Sequence, residues 1–287
     1  MPEKRVCGWH EGDGFSEPLC GRQLGTKMSR EFNMDIERHN HRQIEQLNQR
    51  GGRMLSIVDL IQAGTISVEM AAYAMRAMAE GASLLTAARP GGAGKTTLMA
   101  ALLGLLPPDV PLVTVDSSRI IHDGLQRSAA EPACYLAHEI GSGDWFGYIW
   151  GRDVGNFFSL IEDQRRIASC LHADTLEELT GILCSLPLRV ARETLGRVGL
   201  ILFMYVAPAP GGYRRRVSSF WEADGQGGHR LVFRWNVKAD TYEPTTELHD
   251  PKGLDRYRDF LRGLLDAGEV TIEAARRKAL EFCRDGQ

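Results

Sequence analysis

The chain has 287 residues, 43% of them hydrophobic, with a formal net charge of -3. That suffices for one large α/β domain with smaller appendages, and it excludes both a disordered chain and one drawn to nucleic acid by a general basic field, so no direct nucleic-acid partner is expected. No apolar run approaches the ~18 residues of a membrane span, and the start MPEKRVCGWHEGDG has no signal-peptide core, which together lead to the expectation of a cytoplasmic protein. Six scattered cysteines in such a chain read as buried thiols rather than disulfides.

Residues 1–50 differ from the rest of the chain. Cys7-x2-His10 and then Cys20 are candidate zinc ligands, ahead of a polar helix carrying His39 and His41. No second Cys/His pair is present, so an irregular arm with incidental thiols and imidazoles stands beside the zinc reading. Met54–Ala63 and Val68–Met78 show apolar positions at helical spacing, with Ser67 as the N-cap of the second helix. These two helices are expected against a nucleotide domain spanning 51–245, with a helical tail over 246–287.

The stretch LLTAARPGGAGKTTLMAALL, Leu84 to Leu103, reads as an apolar strand, a glycine-rich loop and an apolar helix. Gly91, Gly92, Ala93, Gly94, Lys95, Thr96 and Thr97 have the composition of a phosphate-binding loop, in which backbone N–H groups and a helix N-terminus converge on phosphate. Lys95 would reach the β- and γ-phosphates of ATP and the Thr96 hydroxyl would hold Mg²⁺. The pattern G-x-x-x-x-G-K-[ST] puts its first glycine where this chain has Arg89.

Val110–Asp116 is an apolar run ending in a carboxylate, as in a parallel strand buried on both faces. Ser118–Ser128 reads as a short helix, and Ala133–Ile140 as a further strand holding Glu139 near its end. The sequence GSGDWFGYIWGRDVG brings Trp145, Phe146, Tyr148 and Trp150, expected to pack over the domain or a neighbouring subunit. Helices are expected over Asp153–Asp163, Leu176–Leu186 and Arg189–Val198, and strands over Ile167–His172 and Gly199–Ala207. Beyond Pro208 the pattern alternates: Tyr213–Trp221 and Arg230–Asn236 form a hairpin about a Gly-rich turn, and Arg214-Arg215-Arg216 is either a solvated strand end or a phosphate or partner contact. Gly253–Cys283 gives two amphipathic helices.

From Met54 to Trp235 the order of elements resembles the ATPases of type II and type IV secretion, type IV pili and tight-adherence pili. The resemblance is carried by LIQAGTIS ahead of the loop, RPGGAGKTT in it, LVTVDSS for the family's I-V-T-I-E-D strand, ASCLHADTLEEL for its T-x-H-A-N-T-x-x-E-A-L box, and the ending LPLRVARETLGRVGLILFMYVAPAPGGYRRRVSSFWEADG. It implies a RecA-like P-loop NTPase, a mostly parallel sheet flanked by helices with a C-terminal β-hairpin and helical tail. Carried over residue by residue, it implies that Lys95 and Thr96 bind ATP and Mg²⁺, that Asp116 ends the second strand, that Glu139 is the Walker B acid touching Mg²⁺ through water, and that His172 is the box histidine. Gly151-Arg152-Asp153 offers a competing alignment for the Walker B acid. Ser117 stands for the second acid of the E-D pair and Asp174 for the asparagine of H-A-N. Without the resemblance, His172 is a satisfied core histidine and Asp116 a helix cap.

The resemblance further implies a homo-oligomeric ring, a hexamer, that turns ATP hydrolysis into work on inner-membrane secretion or pilus platform proteins while peripheral to that membrane. Arg189, Arg192 and Arg197 are candidates for an arginine reaching a neighbour. The rival from another class is a degenerate ATP-binding regulatory or scaffold subunit with little hydrolysis, motivated by Arg89 and Ser117. A small-molecule kinase using the same loop accounts for neither the histidine box nor the hairpin.

Overall fold

The structure, a computed structural model, describes residues 35–48, 51–162, 164–246, 251–268 and 270–285. Alternation inside the apolar runs builds its centre. In β1 (Leu84–Ala87), Leu84 joins one cluster of buried side chains while Leu85 and Ala87 join another. The same split runs through β3 (Ala133–Leu136), with Cys134 and Leu136 on one side and Ala133 and Tyr135 on the other. A strand covered on both faces needs both positions apolar, hence the continuous apolar runs in the sequence.

With β2 (Leu112–Thr114), β6 (Arg165–Leu171), β7 (Leu200–Ala209), β8 (Gly212–Ala223), β9 (His229–Asn236) and β10 (Thr241–Pro244), the strands run β10-β9-β8-β7-β1-β6-β3-β2 across one sheet. Pairings from β7 to β2 are parallel and those from β7 to β10 antiparallel. One face carries α1 (35–46), α2 (Ile57–Gln62), α3 (Val68–Ala79), α4 (Lys95–Leu103), α9 (Pro251–Asp266) and α10 (Ile272–Arg284). The other carries α5 (Ser118–Gln126), α6 (Arg152–Phe158), α7 (Leu176–Cys184) and α8 (Arg192–Leu195). The fold is thus α/β, a mostly parallel sheet between two helical layers, with a C-terminal hairpin and helical tail. Helix α4 is apolar all round because sheet and helices cover it on every side.

Two expectations are corrected. The run Ala133–Ile140 is not one strand: after β3 the His138 N–H turns to the Gly147 carbonyl (2.7 Å), and β4 (Glu139–Ile140) pairs instead with β5 (Tyr148–Ile149) and the end of β6. The helix expected over Arg189–Val198 shrinks to α8, since Arg189 adopts left-handed backbone (φ 51) and Gly196 ends the short helix. One buried cluster holds side chains from both sides of the boundaries expected at residues 50 and 246. Ile44 of α1 and Leu47 just after it, Leu254, Leu261 and Leu264 of α9, and Ile272, Ala275 and Ala279 of α10 belong to the same buried cluster as Leu98–Leu103.

Helix α1 also satisfies the sheet edge. The Asn40 amide donates to the Val110 carbonyl (2.9 Å) and accepts from the Leu112 N–H (2.7 Å), while Gln43 accepts from the Thr114 N–H (3.3 Å). An edge strand so covered offers few open groups to another chain. At the tail, Arg276 grips the Glu37 carboxylate with two bonds (2.9 and 2.6 Å) and donates to the Leu106 carbonyl past the end of α4.

If the tail helices are part of this core, Leu261→Ala is expected to cost about 2–5 kcal/mol in urea unfolding, as for a fully buried leucine. Val237→Ala, at an exposed position, is expected to stay within about 0.5 kcal/mol.

Candidate functional site

The loop between β1 and α4 is built by backbone that side-chain-bearing residues rarely adopt. Gly92 has φ +77 and Gly94, the N-cap of α4, φ +100. A Cβ at Gly94 would meet the Arg215 Cδ and the Met204 Cε at an ordinary 3.4 Å, so it is the left-handed backbone that favours glycine there. The first turn of α4 then presents backbone N–H groups without intrahelical partners. Thr86 of β1 donates to the Lys95 carbonyl (3.1 Å) and ties the helix start to the strand.

Around this loop opens a cavity of about 830 Å³. Its floor is Gly91, Gly92, Ala93, Gly94, Lys95, Thr96 and Thr97, all of the expected phosphate-binding residues. Glu139 and His172 line it too, so the structure brings together three of the four residues expected to do chemistry. His172 Nε2 lies 2.9 Å from Glu139 Oε1, and the Tyr148 hydroxyl donates to Glu139 Oε2 (3.1 Å). The Lys95 ammonium donates to the Ala88 carbonyl (3.2 Å) and stands 3.5 Å from His172 Nδ1. Thr96 lies beside the buried Cys170, whose thiol burial pushes up to about 12. His138, also on the cavity wall, is held neutral by burial, which moves it down to about 4.

Asp116 is the exception. It is exposed, beyond the end of β2, and does not line the cavity. Strand order is the reason: β6 and β3 lie between β1 and β2, which separates the two strands by about 14 Å at the usual spacing. Arg152, the competing Walker B position, opens α6 and also lies outside the cavity, as do the exposed Arg189, Arg192 and Arg197. Cys7, His10 and Cys20 fall outside the described residues, and no group of three metal-ligating side chains occurs among the described ones. Of the aromatics expected to pack over the domain or a neighbouring subunit, Trp145, Phe146 and Trp150 are 69, 49 and 42% exposed, and Phe146 meets the His138 ring edge-on at 5.3 Å.

One contributor was missed from sequence, and one was read only as a member of a run. Tyr148, read only as a packing aromatic, orients Glu139. Arg215, one of three consecutive arginines, comes from the hairpin and donates to the Gly92 carbonyl (3.1 Å). Its neighbour Arg216 is used up by Asp240, two bonds of 2.8 Å, and by the Ala63 carbonyl (3.1 Å). The remaining wall is mixed: Leu47, Met54, Leu55, Leu60 and Ala63 alternate with polar groups that include Asn48, Arg53, Thr65 and Arg214.

The Arg216 guanidinium holds the Asp240 carboxyl down at about 2. Because this lies below the ordinary value near ~3.9, Asp240 contributes stability that is present above about pH 4 and lost as pH falls toward 2. Melting curves between those pH values are expected to lose stability less steeply in Asp240→Asn than in the wild type; identical slopes would contradict this.

No protein-family description and no curated protein matches the chain. Among solved structures it is similar to the ATPase DotB of Legionella pneumophila, at 12% identity and a TM-score of 0.35 over 73% of this chain and 54% of that one. It is also similar to the ATPase DotB of Yersinia pseudotuberculosis, at 9% identity and a TM-score of 0.38 over 72% of this chain and 60% of that one. The chain therefore spans less than two thirds of either protein's length.

Proposed function

We propose that this chain is an ATPase of the secretion and pilus-assembly kind, acting as a homo-oligomeric ring, a hexamer by resemblance, on inner-membrane platform proteins. The observation that supports it best is the convergence of a glycine-built phosphate loop, Lys95, Glu139 and His172 on one cavity. Among the described residues no helix is long and apolar enough to cross a membrane, which agrees with a peripheral site of action.

In this reading the loop N–H groups, Lys95 and Arg215 bind the phosphates, and the apolar side chains of Leu47, Met54, Leu55 and Leu60 on the opposite wall receive the base. Glu139, held by Tyr148 and His172, orients the attacking water. The Thr96 hydroxyl and the Glu139 carboxylate are hard oxygen donors suited to Mg²⁺, which keeps several of its own waters and needs few protein ligands. When bound, Mg²⁺ would neutralise charge developing on the phosphates. The chemistry asked of the chain is positioning and charge neutralisation, with no covalent intermediate.

Asp116 favours a second reading, a subunit that binds ATP and scarcely hydrolyses it, since the acid of the second strand lies away from the loop. Steady-state phosphate release from Mg-ATP, across concentrations that span assembly, separates the two. Lys95→Ala and Glu139→Gln are expected to lower turnover by about 10²-fold or more, and Arg215→Ala to weaken ATP use by about tenfold. ATP binding without Lys95-dependent release would overturn the motor and leave the regulatory subunit.

A further inference from the structure

Two departures from the expected motifs, Arg89 for glycine and Asp174 for asparagine, meet in the structure. The Arg89 N–H donates to Asp174 Oδ1 (2.7 Å), and the Arg89 carbonyl accepts from His172 Nδ1 (2.6 Å). The Arg89 guanidinium is hydrogen-bonded to Glu178, and its Nε lies 3.9 Å from Asp174 Oδ2. Glu178 also accepts from the Asp174 N–H (2.9 Å), and Thr175 caps the same helix by accepting from the Glu178 N–H (3.1 Å). One loop residue is thus gripped through its donor, its acceptor and its side chain, always by the segment 172–178. Glycine at position 89 would make only the first two contacts.

We propose that Arg89 is a positioning residue that latches the phosphate loop to the His172 turn, with Asp174 and Glu178 as the other half of the latch. It rests on reading the cavity as an ATP-hydrolysing site. The path to the chemistry is short. The imidazole that joins the latch at Nδ1 presents Nε2 to Glu139 at 2.9 Å, and a planar ring passes any shift of residue 89 on to that carboxylate. Arg89 does not itself line the cavity, so it is not a phosphate ligand. Its side chain is 67% exposed, and an ion pair so open to water adds little to global stability, which leaves its geometry as its main effect. The latch also accounts for both departures together: an arginine in the loop is useful where carboxylates at 174 and 178 receive it.

Charge reversal tests this. Arg89→Glu and Glu178→Arg are each expected to lower kcat about tenfold, with KM for ATP changing less than about threefold, and the double variant to regain most of the loss. Hydrogen–deuterium exchange of 88–94 and of 171–178 is expected to rise in both segments for either single variant and to fall back in the double. Glu177→Arg, on the same first helical turn, imposes the same helix-end charge without touching the latch and is expected to keep wild-type kcat and exchange. Wild-type kcat and exchange in the single variants, or a double variant no better than the singles combined, would overturn the proposal. If the wild-type protein releases no phosphate, the ATPase reading fails by itself, and coupled or uncoupled exchange in the two segments still upholds or overturns the latch.

Discussion

Parallel pairing of β1 with β6 sets Ala87 beside Leu171 and continues past both strand ends, where the Ala88 N–H donates to the Leu171 carbonyl at 3.3 Å. The next residue on each strand is therefore fixed, Ala88 beside His172, and Arg89 follows at the start of the glycine loop with its carbonyl on His172 Nδ1. Register in a sheet moves in whole residues, and a slip of one would exchange the faces of every side chain beyond it. Leu84 and Leu85 are buried in different layers, so such a slip would expose apolar groups to the wrong cluster on both faces at once. The core thereby specifies the separation of Lys95 and His172 more tightly than any contact inside the cavity.

What could be read from sequence depends on the range of the signals. The loop GGAGKTT is local, its glycines answer to backbone angles at Gly92 and Gly94, and all seven residues line one cavity. His172 and Glu139 were assigned by order along the chain, and parallel strands place successive carboxyl ends along one edge of the sheet, so order carried over into proximity. Asp116 shows where that inference fails. It too comes after a strand, yet sequence does not say that β3 and β6 intervene between that strand and the loop. The break after Leu136 was hidden because Ala137 and His138 are apolar or neutral enough to continue a strand pattern, while the cause, the Gly147 carbonyl, is nine residues away. The tail helices announce their amphipathic faces plainly. Only the packing of α9 on α3 and α2 tells that those faces complete the same core as α4.

The three arginines of the hairpin make the same distinction in chemical terms. Their sequence alone offers three equivalent cations at a strand end. In the sheet, Arg216 is neutralised by Asp240, itself held by the Trp235 N–H (2.9 Å), and it braces the α2–α3 turn through Ala63. Arg53 at the cavity rim is likewise matched by Asp59. Among the described residues no ion pair forms with Lys95 or Arg215, which meet the carbonyl oxygens of Ala88 and Gly92 instead. A carbonyl is a weaker partner for a cation than a phosphate oxygen, because the carbonyl offers only a dipole where the phosphate offers a full negative charge. The carboxylates near the cavity thus hold the cations that shape it, and the two cations nearest the loop keep partners that a polyanion can replace at small cost. The hairpin has its role in the fold through that division, since it carries Arg215 to a loop 123 residues earlier in the chain.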